Sequence, residues 1–170
     1  MTTPLTAAFP PPGAELTRRR AVDADAERIH RLSSLFVVDG ALRERSAAAI
    51  ADAVKEFTVV DAGGDLIGCV GMRRPPDDAG SQVLYNFCVH PAHQRRGIGR
   101  VLLDQVLTDA AADGAARVYT ATTGAGAWFE RFGFVPTTPD AAPRSWVDAL
   151  DPRRSSRVYV QPLRELGAAP

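Results

Sequence analysis

Lysine is almost missing from this chain. Of 20 cationic residues, Lys55 is the only lysine and the rest are arginine. Net charge is missing as well, because 20 Asp and Glu balance the 20 cations. A chain without a basic excess is not built as a nucleic-acid binder, nor for adhesion to membranes by charge. The two cysteines, Cys69 and Cys88, are too few for a disulfide scaffold, and free thiols suit a reducing compartment. No run of about 18 apolar residues occurs, so no transmembrane helix is expected. The first residues show neither a charged segment nor an apolar core, so no signal peptide is expected. The absences together predict a cytoplasmic protein without metal, membrane or nucleic-acid partners. A length of 170 residues suits one domain with a full core.

What is present alternates between strand and helix signals. Residues 1–13, ending in Phe9-Pro10-Pro11-Pro12-Gly13, read as a mobile tail, and residues 164–170 as a second one. The domain is expected over residues 14–163. Glu15–Ala21 alternates weakly and predicts a strand. Asp23 or Asp25 can cap a helix to about Phe36 with Ile29, Leu32, Leu35 and Phe36 as its stripe. Ser46 can cap a second helix, Ala47–Val54. Glu56–Asp61 predicts a strand, and Ala62-Gly63-Gly64-Asp65 a hairpin turn into Leu66–Arg73. Gln82–His90 predicts a third strand of this meander, stopped by Pro91.

The longest helix is expected from Gly97 to Asp113, with Ile98, Val101, Leu102, Val106 and Ala110 as its stripe and Gly114 just past its end. Ala116–Thr122 predicts a strand, Ala125–Phe132 a short helix, Gly133–Val135 the start of a strand, and Ser156–Gln161 a last strand. The order is β-α-α-β-β-β-α-β-α-β-β. Its meander implies antiparallel pairs, and its central β-α-β implies one parallel pair with a right-handed crossover. The expected class is a mixed, mostly antiparallel α/β sheet with helices on both faces.

The sharpest motif is Gln94-Arg95-Arg96-Gly97-Ile98-Gly99-Arg100, between a strand and the longest helix. A helix N-terminus offers unpaired N–H groups and the positive end of the helix dipole, which together make an anion site. Gly97 and Gly99 remove side chains that would hold a phosphate away from the backbone, and Arg95, Arg96 and Arg100 add cations. The turn is therefore read as a pyrophosphate site. It is no Walker loop, because no Gly-Lys-Ser/Thr follows, and it lacks a third glycine spaced for a dinucleotide fingerprint.

This loop resembles the Q/R-x-x-G-x-G/A loop of the GNAT N-acetyltransferases. Trp128-Phe129-Glu130-Arg131-Phe132-Gly133-Phe134 is similar to their short helix with its Gly-Phe strand start, and the order of elements is also theirs. The resemblance covers about residues 15–162. It implies acetyl-CoA as co-substrate, with Gln94, Arg95, Arg96, Gly97, Ile98, Gly99 and Arg100 at the pyrophosphate. It also puts the backbone of Phe87, Cys88 and Val89 along the pantetheine arm. A homodimer is a common assembly among such proteins.

Three further segments resemble the acetyltransferase domain of N-acetylglutamate synthases: Leu42-Arg43-Glu44-Arg45-Ser46, Gly68-Cys69-Val70-Gly71-Met72-Arg73, and Arg153-Arg154-Ser155-Ser156-Arg157-Val158. Carried over position by position, Arg45, Arg73, Arg154 and Ser156 would hold the two carboxylates of a small acidic amino acid, glutamate first, while Arg157 points to the other face of its strand. Bidentate arginines suit carboxylates. Long synthases of this kind also carry an amino-acid-kinase domain, for which there is no room here, so a stand-alone domain is expected. The proline-rich stretch 136–151 is expected as a lid or an acceptor-specific loop.

The amine must lose a proton before it attacks the thioester. Tyr85, His90 and Asp65 are the candidate bases, Tyr85 first. A backbone N–H near Cys88 and Val89 is the expected oxyanion donor. Phe129 occupies the slot where many relatives place an acidic tyrosine. Two other readings stand beside this one: acetylation of another amine, with Asp77-Asp78 as the acidic pair that a cationic acceptor would use, and a non-catalytic acyl-CoA-binding module.

Overall fold

Seven strands form one sheet in the order β1-β2-β3-β4-β5-β7-β6 in the computed structural model, which describes residues 15–163. The two expected tails lie outside the described residues. The strands are β1 (Leu16–Arg20), β2 (Phe57–Ala62), β3 (Asp65–Arg73), β4 (Ser81–Val89), β5 (Arg117–Thr122), β6 (Val135–Thr137) and β7 (Arg157–Pro162). The helices are α1 (Ala26–Ser34), α2 (Ala47–Asp52), α3 (Ile98–Ala112), α4 (Gly126–Glu130) and α5 (Arg144–Val147). Every pair is antiparallel except β4 with β5. This is the expected mixed sheet, with the crossover between β4 and β5 made by α3.

Local chemistry places most of these elements. Gly63 and Gly64, at φ 57° and 91°, make the two-residue turn between β2 and β3 that the right-handed twist of a hairpin favours. Ser46 caps α2 by accepting the Ala49 N–H at 3.1 Å. Gly114, at φ 79°, ends α3.

Four expectations are corrected. The first helix stops at Ser34, so Leu35 stands 48% exposed instead of completing the apolar stripe. Asp25 does not cap α1 in the usual sense: its buried carboxylate takes Arg19, Arg28 and the Val22 N–H. On α3, Ile98, Leu102, Leu103, Val106 and Ala110 are buried, but Val101 is 44% exposed. At 3.6 residues per turn the five buried positions fall within an arc of about 140°, and Val101 lies outside it. The second helix is shorter than expected, ending at Asp52 before a 3-10 turn, Val54–Glu56.

Two features of the sheet make room for a site. First, β4 pairs with β5 only from Ser81 to Val83, opposite Arg117 to Tyr119. Beyond that point the two strands part, leaving the β5-side edge of Leu84–Val89 without a strand partner. Second, the register between β3 and β4 slips between Cys69↔Cys88 and Gly71↔Tyr85. Asn86, at φ 48°, absorbs the extra residue, a conformation that Asn tolerates better than most residues. Its side chain donates to Ser33 Oγ at 2.7 Å, tying the bulge to α1.

Candidate active site

The site has two halves, on either side of the split between β4 and β5. The first is the turn from Val89 into α3. Gln94 Nε2 donates to the Val89 carbonyl at 3.1 Å, pinning the turn to the end of β4. Gly97 precedes α3 at φ 82°, a left-handed conformation that a β-branched residue resists, and a Cβ there would meet nothing within 4 Å. No side chain caps α3, so its first N–H groups are left for an outside acceptor. Arg95 and Arg96 are exposed beside it, and Arg96 lies 3.3 Å from His93 Nδ1. Burial and the nearby Arg96 push the His93 ring below its usual pKa. Arg100 meets Asp104 at 3.4 Å on the helix surface. The uncapped helix, the open space at Gly97 and the cluster of arginines fit a pyrophosphate.

Gly99 also serves the packing of α3. A Cβ at this position would stand 3.3 Å from Trp128 Cζ2, so the glycine lets α3 approach the aromatic cluster. Phe87 belongs to that cluster, with its ring centroid 5.3 Å from Trp128 and 6.0 Å from Phe129. Cys88 turns to the other face, where its Sγ lies 3.6 Å from that of Cys69. The contact with Cys69 and burial push the Cys88 thiol up, which suits a packing role and not a nucleophile. What Phe87, Cys88 and Val89 offer a ligand at the split is therefore backbone.

The second half is a cavity of about 90 Å³ on the α1–α2 side of the sheet. Arg45, Arg73, Arg154, Ser156 and Tyr85, chosen from segments far apart in sequence, all line it. Arg45 sits just before α2, Arg73 ends β3, Tyr85 is on β4, and Arg154 and Ser156 lead into β7. Arg43 adds a fourth guanidinium, and Asp151 is the lining carboxylate, already tied to Arg153 at 2.9 Å. Burial lowers the Arg45 pKa, and the charges of Arg43, Arg73 and Arg154 push it the same way. Arg154 Nη2 also donates to the carbonyls of Gly40 and Ala41 at 2.9 and 3.1 Å. Arg157 turns from the cavity toward Tyr159, with Cζ 6.0 Å from the ring centroid.

The proline-rich stretch is a wall of this cavity. Trp146, on α5, packs near Tyr119, and Trp146, Ala149 and Leu150 line the space. Asp77 holds α5 by accepting from the Ser145 N–H at 2.9 Å, and Asp78 accepts from Ser81 Oγ at 2.7 Å. The two acidic residues are thus structural ties.

Of the three candidate bases, Asp65 begins β3 and Arg73 ends it, eight residues or about 26 Å along an extended strand. Asp65 is therefore far from the cavity. His90 accepts the Ala92 N–H with Nδ1 at 3.2 Å, within the turn that leads to α3. Tyr85 is at the cavity, but its hydroxyl donates to Glu56, and burial together with that bond pushes its pKa well up. Glu56 and Trp146 carried no motif, and only their contacts reveal them. Phe129, in the slot of the expected acid, is buried against Phe87 and Phe134.

Residues 53–136 match the acetyltransferase (GNAT) domain family. A protein of Pseudomonas fluorescens (strain SBW25) named amino-acid acetyltransferase is 30% identical over 150 residues, 88% of this chain and 34% of that protein. The chain thus spans about a third of the length of the curated relatives it matches. The N-acetylglutamate synthase of Neisseria gonorrhoeae, solved with coenzyme A and N-acetylglutamate, superposes with a TM-score of 0.82 at 26% identity over 90% of this chain and 36% of that one. The diaminobutyrate acetyltransferase of Paenibacillus lautus shares the fold, with a TM-score of 0.69 at 18% identity over 91% of this chain and all of that one. The fold agrees with these likenesses, and residues 53–136 carry a GNAT acetyltransferase domain.

Proposed function

We propose that this protein transfers the acetyl group of acetyl-CoA to the amine of a small acidic amino acid, glutamate first. The observation that carries this reading is the cavity with four guanidinium groups and one carboxylate already paired. Such a cavity suits an anion with more than one carboxylate. Its volume of about 90 Å³ is small beside the roughly 300–1,000 Å³ of pockets that take drug-sized ligands, which favours a small acceptor. The relatives named amino-acid acetyltransferase, and the synthase solved with N-acetylglutamate, support the same substrate class.

Acetyl-CoA, when bound, supplies the acetyl group as a thioester. The first N–H groups of α3, with Arg95 and Arg96, hold its pyrophosphate, and the free edge of Phe87–Val89 takes the pantetheine arm. A backbone N–H of β4 donates to the thioester oxygen as charge develops on it. Arg45, Arg73, Arg154 and Ser156 hold the acceptor carboxylates. The acceptor's ammonium group passes its proton to water, because burial and Glu56 hold the Tyr85 hydroxyl protonated, with no phenolate to serve as base. Water also reprotonates the leaving thiolate, since Phe129 offers no proton.

The test is thiol release from acetyl-CoA with a panel of amino acids, polyamines and aminoglycosides. Turnover on glutamate or aspartate supports the reading, and turnover confined to cationic or neutral amines overturns it. A non-catalytic acyl-CoA-binding role draws on the buried Phe129 in the acid's slot. It would show as tight CoA binding with no turnover on any amine.

A further inference from the structure

Arg45 and Arg73 bring like charges to one cavity, and among the described residues neither forms a salt bridge. What both of them meet is the ring of Tyr85. Arg45 Cζ lies 5.0 Å from its centroid and Arg73 Cζ 5.2 Å. A guanidinium held by a ring face is attracted by the π electrons and keeps its in-plane N–H groups free for a carboxylate. A carboxylate in the place of the ring would use those donors and cancel the charge.

The ring itself is fixed from three directions. Phe57 packs against it edge-on at 5.4 Å. Gly71, directly opposite on β3, leaves the space that the ring fills: a Cβ there would stand 2.5 Å from Tyr85 Cζ. The hydroxyl donates to Glu56, in the 3-10 turn before β2. Glu56 does not line the acceptor cavity. It lines a second cleft, with Lys55 and Arg20, whose wall shares Arg73 with the acceptor cavity, and its hydrogen bond into the acceptor cavity is the one to Tyr85.

We propose that Tyr85, locked in place by Glu56, is a positioning residue that sets where the Arg45 and Arg73 guanidiniums stand, and thereby selects acceptors by the separation of their carboxylates. This rests on the acidic-acceptor reading above. Glutamate and aspartate differ by one methylene, so a fixed spacing of cations discriminates between them and a loose one does not.

The experiment combines arginine side-chain NMR with kinetics on the full chain as wild type, Tyr85→Phe, Tyr85→Leu and Glu56→Gln. In the wild type the ring current moves the Nε–H protons of Arg45 and Arg73 away from those of exposed arginines. Tyr85→Phe and Glu56→Gln keep the ring and loosen its anchor, so both signals move part of the way back. Tyr85→Leu returns both fully. The KM for glutamate rises about threefold in the two anchor variants and about tenfold in Tyr85→Leu, with the KM for acetyl-CoA within about twofold, and the preference between glutamate and aspartate shrinks about fivefold.

The proposal is overturned if Tyr85→Leu leaves both arginine signals in place, or if it raises both KM values alike. If Tyr85→Leu does not fold, unmoved signals in Tyr85→Phe and Glu56→Gln overturn it equally. A wild type inactive on both acidic amino acids removes the acidic-acceptor reading, and the arginine signals then decide the positioning role by themselves.

Discussion

Arg19 grips Asp25 with Nη1 to Oδ2 at 2.6 Å, joining the end of β1 to the start of α1. Arg28 of α1 also reaches Asp25, at 2.9 Å, and both arginines reach Asp61 of β2 at 2.7 Å. Two carboxylates and two guanidiniums thus close a ring across three elements. Asp25 is 1% exposed, and its bonds to Arg19 hold its carboxyl down at about 2.

The first prediction concerns stability in acid. The Asp25 pKa is depressed on folding, so its contribution is fully present above the unfolded value of about 3.9 and is lost as pH falls through the folded value of about 2. Urea midpoints measured from pH 5 down to pH 2 should fall for the wild type. Asp25→Asn should be less stable at pH 7, by about 2–3 kcal/mol, and should show a flatter acid limb. Equal pH slopes for the two proteins would sink this account.

The second prediction concerns Gly97. Replacing it by Val forces a β-branched residue to φ 82° and puts side-chain atoms where the pyrophosphate would lie. The KM for acetyl-CoA should rise about tenfold or more while the acceptor KM stays within about twofold. Initial-rate kinetics varying each substrate in turn will show it.

The third prediction concerns Arg154. Arg154→Ala should raise the acceptor KM by roughly tenfold to a hundredfold, the scale of a lost charged hydrogen bond, with acetyl-CoA affinity nearly unchanged. Arg154→Lys should recover only part, because an ammonium cannot reproduce a bidentate pair. A fall in CoA affinity, read by titration calorimetry, would count against the carboxylate role. Arg154 also ties down Gly40 and Ala41, so hydrogen exchange around residues 40–42 should quicken in the Ala variant.

The fourth prediction is a rescue. A Cβ at Gly126 would collide with the hydroxyl of Tyr159, which is 2% exposed. Gly126→Ala should cost about 1–3 kcal/mol from overpacking. Adding Tyr159→Phe removes the clashing oxygen and should return part of that loss. If the double variant is no more stable than Gly126→Ala in thermal melts, the clash is not the cause.

Much of the fold was legible before any coordinates. The Gly63-Gly64 turn, the Ser46 cap and the long α3 follow from rules that act within a few residues. The helix ends were harder to place: Leu35 fits the period of α1, yet the chain turns away at Ser34. The packing of Gly99 under Trp128 is not legible in sequence, because a glycine in a phosphate-binding turn and a glycine under a tryptophan look alike there.

The site divides along the same line. Its half at the turn into α3 is one contiguous loop at a helix start, so the amino-acid sequence by itself determined its features: uncapped amides, a left-handed glycine and arginines within seven residues. Its cavity half is assembled from positions 41 to 156. Resemblance nominated Arg45, Arg73, Arg154 and Ser156, but only the tertiary structure decided that they share a cavity, that Arg43 and Trp146 join them, and that Tyr85 answers to Glu56. The physical reason is that short-range rules act through backbone geometry over a few residues. The meeting of distant cations depends on how the sheet is ordered, where β4 and β5 part, and which side chains crowd the space between.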